Sequence, residues 1–274
     1  MIRDITIGQY YPAKSILHRL DPRVKIVCTL LYLVSLFLFR SIPGYLVATL
    51  FLAAVIRMSK VPFSYIVRGL KPIIFLLLIT VLFNLFLTRS GEVLFQKWIF
   101  TITAGGLQTA VYMGIRLIYL ILGSSLMTFT TTPNELTDGI EALLGPLKKI
   151  HVPVHEIAMM MSIALRFIPI LLEETDKIMK AQIARGADLE SGNLIQRAKS
   201  MIPILVPLFV SAFRRANDLA MAMESRCYQG GEGRTKMKPL RYRGRDYIAY
   251  IVVIVYVIAV VLVGRYVSLH VWVF

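Results

Sequence analysis

Acidic residues are scarce in this 274-residue chain. It holds 16 Asp and Glu against 31 Lys and Arg, and charged residues of both signs make up only 17%. A soluble globular domain carries about 25% charged and 45–50% apolar residues. Here the apolar share is 57%, more than a water-soluble fold of this size has interior to receive, which excludes a soluble enzyme of one or two domains. Cysteine is nearly absent. Cys28 sits in an apolar run and Cys227 in a basic, polar stretch, so there is neither a disulfide framework nor a metal-ligand spacing. No cleavable signal peptide is visible, because residues 1–25 are polar and hold no apolar core. The nucleotide-cradling pattern G-x-x-x-x-G-K-S/T is missing as well. Gly230-Gly231-Glu232-Gly233-Arg234-Thr235-Lys236 has the wrong spacing and no preceding strand, and is read as a flexible loop.

What the chain does have is apolar length. Uncharged stretches run over 26–39, 41–56, 72–88, 98–134 (broken only by Arg116) and 247–264. A helix needs about 20 residues, within a range near 17–25, to cross a bilayer. The last three stretches fall in or above that range. The first two are short and separated by a tight turn at 40–44, with Lys25 and Arg40 placed to snorkel to the two interfaces. Asp21 and Pro22 supply a helix cap and a first-turn proline. The fourth stretch, from Ala104 to Thr132, would be about 43 Å long as a helix and should tilt or extend into the cytoplasm. Its Ala110, Gly114 and Gly123 form a face of small residues that a neighbouring helix can approach closely. Arg116 must face protein or water, or lie near an interface.

Basic residues fix the sides. With the N-terminus inside, the inner segments hold 26 of the 31 Lys and Arg and the outer segments four, Arg116 being the remaining one. Positive charge collects on the cytoplasmic side. The expectation is therefore an all-α polytopic membrane protein of about five transmembrane helices, N-terminus cytoplasmic and C-terminus extracellular. An N-terminal arm with helices 1–4 occupies residues 1–131, a cytoplasmic or interfacial region 132–246, and a final span 247–274.

The middle region reads as helical. Thr132-Pro133-Asn134-Glu135 has the features of a helix start, leading to Leu144 and a Gly145-Pro146 break. A long run over 155–180 contains Pro169, and two further elements are expected over 194–207 and from 208 to about 226. The apolar pieces 157–172 and 201–213 could form a transmembrane hairpin. Arg166, Pro203 and Pro207 speak against that, and it would export Lys177, Lys180, Arg185, Arg197 and Lys199 against the charge rule. Amphipathic helices under the membrane fit better.

Two stretches here resemble each other, 173–186 and 214–227. Each is a charged helix ending in one Arg between small residues, Ala184-Arg185-Gly186 and Ser225-Arg226-Cys227. Small neighbours leave a guanidinium clear for a partner groove offering a carboxylate in fork geometry. A cation merely well placed against a helix dipole is the plainer reading, worth about 0.3–1 kcal/mol.

Catalytic chemistry is thin. His151 and His155 stand four apart beside Glu156, but Pro153 lies between them, so no zinc motif forms; no metal ligand, catalytic residue or cofactor site is assigned. Glu173-Glu174 sits at the start of a charged helix and reads as solvated. Intramembrane acids are absent, which argues against a proton- or sodium-coupled carrier. A transporter built on this chain would draw its energy from another protein. A polytopic membrane enzyme at the cytoplasmic interface is the alternative, with Glu173, Glu174, His151 and His155 as its polar cluster.

Gly8-Gln9-Tyr10-Tyr11-Pro12 and Ser15-Ile16-Leu17-His18-Arg19-Leu20-Asp21-Pro22-Arg23-Val24-Lys25 strongly resemble the N-terminal signature of the transmembrane coupling component of energy-coupling factor (ECF) transporters. The two Arg triplets look like that family's X-Arg-X coupling motifs, with Ser and Cys replacing the usual flanks in the second. The resemblance covers the whole chain. It implies a non-enzymatic subunit of an ABC-type vitamin or metal importer in the bacterial plasma membrane. Two ABC-type ATPases, an EcfA-like pair, would each take one coupling-helix end. A small membrane substrate-binding protein, the S component, would pack on the apolar face of the helices, with Met159, Met160 and Met161 as an adaptable surface. Lipid bilayer is the remaining partner, and no nucleic acid is expected.

Overall fold

The computed structural model describes residues 10–39, 41–70, 73–87, 93–97, 100–187, 193–231, 235 and 237–266. The expectations at Gly8, Gln9, Arg40, Glu232, Gly233, Arg234 and Lys236, and the sides of the two termini, lie outside those residues. Nine helices follow in order among them: α1 (Pro22–Ser35), α2 (Ile42–Ser59), α3 (Phe63–Leu70), α4 (Ile74–Leu87), α5 (Ala104–Thr130), α6 (Pro133–Leu144), α7 (Val154–Ala184), α8 (Leu194–Glu224) and α9 (Gly244–Tyr266). A small antiparallel hairpin of β1 (Val93–Lys97) and β2 (Phe100–Thr103) joins α4 to α5. The architecture is that of an all-α polytopic membrane protein with this one hairpin added. The described chain falls into two compact units, residues up to 140 together with those from 240, and residues 141–239.

Helices α2, α5, α7 and α9 are long and apolar enough to cross a membrane, and α4 is a shorter apolar helix. The agreement with the expected spans is clear for α2, α5 and α9. Helix α1 has 14 residues, about 21 Å, and turns at Leu36 rather than reaching residue 39. Helix α7 also qualifies by length and composition, where the charge distribution led to the expectation of a helix under the membrane.

In the first unit α1 packs on α5 and α9, α2 joins them, and α4 runs along α5. The core is aromatic. Phe51 stacks on Tyr256 with ring centroids 4.1 Å apart, and Tyr45 lies nearly parallel to Tyr112 at 5.2 Å. The small face of α5 does what its residues suggest. A Cβ on Gly114 would meet the Val81 side chain of α4, and one on Gly123 would collide with the Tyr32 ring of α1.

The polar residues before and inside α1 tie three helix ends together. Asp21 caps α1 through the Arg23 N–H and takes both Arg23 guanidinium bonds at 2.9–3.0 Å. Burial raises the Asp21 carboxyl's pKa, but the Arg23 hydrogen bonds and charge outweigh this and hold it below its usual value. The Asp21 N–H donates to Asp246 Oδ1 at 2.9 Å, and Asp246 Oδ2 accepts from the Arg243 N–H at 2.7 Å. Asp246, 1% exposed, thus joins the start of α9 to the start of α1. Lys25 does not snorkel. It is buried, and its Nζ donates to the carbonyls of Thr130 at 2.7 Å and His18 at 3.3 Å. The reason is α5, whose last carbonyls need donors where no water is available. Ser15 and His18 complete the network, with His18 Nε2 2.9 Å from the Tyr11 carbonyl and the Tyr11 N–H donating to Phe129 O. Arg116 faces protein too, 9% exposed, with Nη2 donating to Phe39 O at 3.2 Å.

Gly123→Val would drive a branched side chain into the Tyr32 ring. The expected loss is about 1–3 kcal/mol, measured as a lower thermal midpoint in detergent. Ala at the neighbouring position, Ser124→Ala, should move it far less.

Candidate functional site

Both Arg triplets close long helices, and they close them in the same way. At the end of α7 the Gly186 N–H donates to Ile183 O at 2.9 Å and the Ala187 N–H to Gln182 O at 3.0 Å. At the end of α8 the Cys227 N–H donates to Glu224 O at 2.9 Å and the Tyr228 N–H to Met223 O at 3.1 Å. These are the paired reverse bonds of a Schellman cap. In each, the Arg precedes the one residue with left-handed backbone, Gly186 (φ 87°) or Cys227 (φ 55°). Arg185 and Arg226 therefore hold the same position in the same motif. Both are exposed, and among the described residues neither guanidinium has a hydrogen-bond or ion-pair partner in the chain. Ala184, Gly186, Ser225 and Cys227 are exposed as well, so the flanks of the two side chains are open among the described residues.

Helices α7 and α8 have 31 residues each. They pack antiparallel, low numbers of one against high numbers of the other, through Gln182 with Pro203 and Glu174 with Ser211 and Arg215. Glu174 is not simply solvated. It accepts from the Ser211 hydroxyl and from Arg215 Nη2 at 2.7 Å. The sequence repeat, offset by 41 residues, maps Glu174 onto Arg215. Equivalent positions touch only where a local two-fold passes between two elements. Arg185 lies 11 residues beyond Glu174, and Arg226 lies 11 beyond Arg215. The two Arg caps thus stand at opposite ends of the pair, about 33 Å apart at 1.5 Å per residue.

The two elements expected over 194–207 and 208–226 are one helix. Asn193 and Gln196 form a capping box at its start, and Pro203 and Pro207 are accommodated within it. Pro207 has no N–H to give the Pro203 carbonyl. Gln182 of α7 supplies the missing donor, Nε2 to Pro203 O at 3.2 Å. A short-range reading of proline misses this, because the compensating donor comes from another helix. The start of α6 is as expected, with Thr132 and Glu135 exchanging side-chain and backbone bonds.

Met160 and Met161 are exposed and Met159 is half-buried. A larger apolar surface lies on α8, within the apolar piece 201–213, though no residue there was singled out. Ile202, Val206, Phe209 and Phe213 are 53–68% exposed at helical spacing, and only their period in the sequence hints at one face. The alternative polar cluster does not assemble. His155 pairs with Glu141, Nδ1 to Oε1 at 3.0 Å, and stands 19 residues from Glu174 on the same helix, about 28 Å away.

A family model described as cobalt transport protein, CbiQ, matches residues 13–237. Among curated relatives, the energy-coupling factor transporter transmembrane protein EcfT of Clostridium kluyveri is 59% identical over 258 residues, covering 94% of this chain and 96% of that one. The proteins of the same name from Thermosediminibacter oceani (52% over 271 residues, 99% and 100% covered) and Bacillus subtilis (51% over 246 residues, 90% and 93% covered) are similarly close.

Two tests follow from the helix pair. Glu174→Arg should loosen it by like charge against Arg215, and Glu174→Arg with Arg215→Glu should recover most of the loss, read as thermal midpoint and protease resistance of 141–239. Cys227→Gly removes a side chain from left-handed backbone and should stabilise the end of α8 by about 1 kcal/mol. Slower amide exchange at 223–228 is the measurement. Gly186→Val should do the reverse at α7, through backbone alone, since no atom crowds a Cβ there.

Proposed function

The chain belongs to the family of energy-coupling factor transporter transmembrane proteins, and from that premise we propose that it is the non-enzymatic coupling subunit of an ATP-driven importer. Arg185 and Arg226 each enter a groove on one of two ABC-type ATPases. Closure of the ATPase pair on ATP moves the ends of α7 and α8, and that movement reorients a vitamin- or metal-binding S component in the bacterial plasma membrane. We place the N-terminus in the cytoplasm and the C-terminus outside, a reading supported by the charge distribution, which then puts 26 of the 31 Lys and Arg on the inner side.

One observation carries this reading. The terminal carbonyls of α7 and α8 are met by backbone N–H groups, so the Arg side chains are not needed to cap their own helices. Lys25 and Arg116 show the opposite use, both spent on backbone carbonyls. Two guanidinium groups without a partner among the described residues, in one motif at opposite ends of a two-fold-like pair, suit two similar partners. The apolar stripe of Ile202, Val206, Phe209 and Phe213, with Met160 and Met161 as a further exposed surface, is the surface we assign to the S component. Met159 contributes less, being half-buried.

Arg185→Glu and Arg226→Glu test the coupling role. Breaking a buried charge pair costs about 2–5 kcal/mol, so each substitution should reduce co-purification of ATPase subunits at least tenfold and abolish uptake. Arg241→Glu, outside both caps, should do neither. Intact, transporting complexes that carry both substitutions would overturn the assignment.

A further inference from the structure

Between α1, α2, α5 and α9 lies a cavity of about 210 Å³. Its wall is almost wholly apolar, with Leu20, Leu52, Val55, Leu126 and Val252 contributing, and two cations, Lys25 and Arg245, border it. Engineered apolar cavities of roughly 150 Å³ stay dry and accept apolar guests. Water is thus the wrong occupant for the body of this one.

The two cations are not fully used. Lys25 is buried and spends two of its three N–H donors on Thr130 O and His18 O. Arg245 Nε is enclosed and has no hydrogen-bond partner. The acids around them are already engaged, Glu135 by the Thr132 N–H, Asp21 by Arg23, and Asp246 by the N–H groups of Asp21 and Arg243. An apolar slot ending at two incompletely satisfied cations calls for a ligand with a long apolar tail and an anionic head.

We propose that this cavity holds one acyl chain of an anionic phospholipid, with its phosphate on Arg245 and the free Lys25 donor. Both cations belong to the segments that carry the basic excess, so the lipid comes from the cytoplasmic leaflet. It fills the space between α1 and α9 beside the node at their starts, and is a structural ligand of this subunit, separate from any transported substrate.

The test uses the full-length chain, purified with the proteins that accompany it, exchanged through mild detergent and examined for retained lipid by native mass spectrometry. The unmodified chain should keep about one phosphatidylglycerol. Arg245→Gln, which removes the cation, and Val55→Phe, which fills the slot, should each reduce retention at least fivefold, with Val55→Phe keeping the unmodified thermal midpoint. Arg265→Gln, at the far end of α9, should leave retention unchanged. Phosphatidylglycerol micelles should raise the midpoint of the unmodified chain but not of Arg245→Gln, and phosphatidylcholine micelles should not raise it. The proposal is overturned by unchanged retention in both site variants, by an equal drop in Arg265→Gln, by equal binding of phosphatidylcholine, or by inorganic phosphate alone reproducing the stabilisation.

Discussion

A helix leaves its last carbonyls without partners, and inside a bilayer no water is there to meet them. Much of this structure is an answer to that constraint. Lys25 reaches from the first turn of α1 to the end of α5, and Arg116 reaches from mid-α5 to the Phe39 carbonyl beyond the other end of α1. One helix is held at both ends by cations bonded to backbone. At a solvent-exposed site, without that constraint, Gln182 of α7 likewise replaces the donor that Pro207 removes inside α8. The buried charges that look costly in an apolar chain are the groups that make its helix ends tolerable.

The same constraint separates Arg185 and Arg226 from every other cation just named. In α7 and α8 the terminal carbonyls are satisfied by the chain's own N–H groups, which requires one residue in left-handed backbone after the Arg. Glycine takes that conformation freely at 186. Cysteine takes it at 227 against its preference. The helix ends are complete without the guanidinium groups, which stand clear. The plain helix-dipole reading accounts for a cation near a C-terminus, but not for the same cap in the same register at both helix ends.

Much of the fold was legible in the sequence because its signals are local. The Asp21-Pro22 start of α1, the Thr132–Glu135 box of α6 and the small face of α5 all act within a turn or against one neighbour. The N-terminal signature was recognisable as a motif, but its work was not. Asp21 meeting Asp246 depends on a partner 225 residues away, which no spacing reveals. The two prolines of α8 misled for a related reason, since their breaking effect is local and its remedy is not. The candidate Arg triplets were visible as a repeat. The cap that makes them equivalent, and the Glu174–Arg215 bond midway between the two Arg caps, required the structure.

That midpoint bond has a mechanical consequence. Two helices joined at equivalent positions respond alike to forces applied at equivalent ends. Pushing on Arg185 and Arg226 together from two similar partners loads α7 and α8 symmetrically about Glu174 and Arg215. A push at one end alone would tilt the pair. An antiparallel hairpin with a single Arg cap could bind one ATPase, but it could not distinguish one closing subunit from a closing pair. The repeat, the shared cap and the antiparallel packing fit together with the two-fold signal that we propose the pair receives.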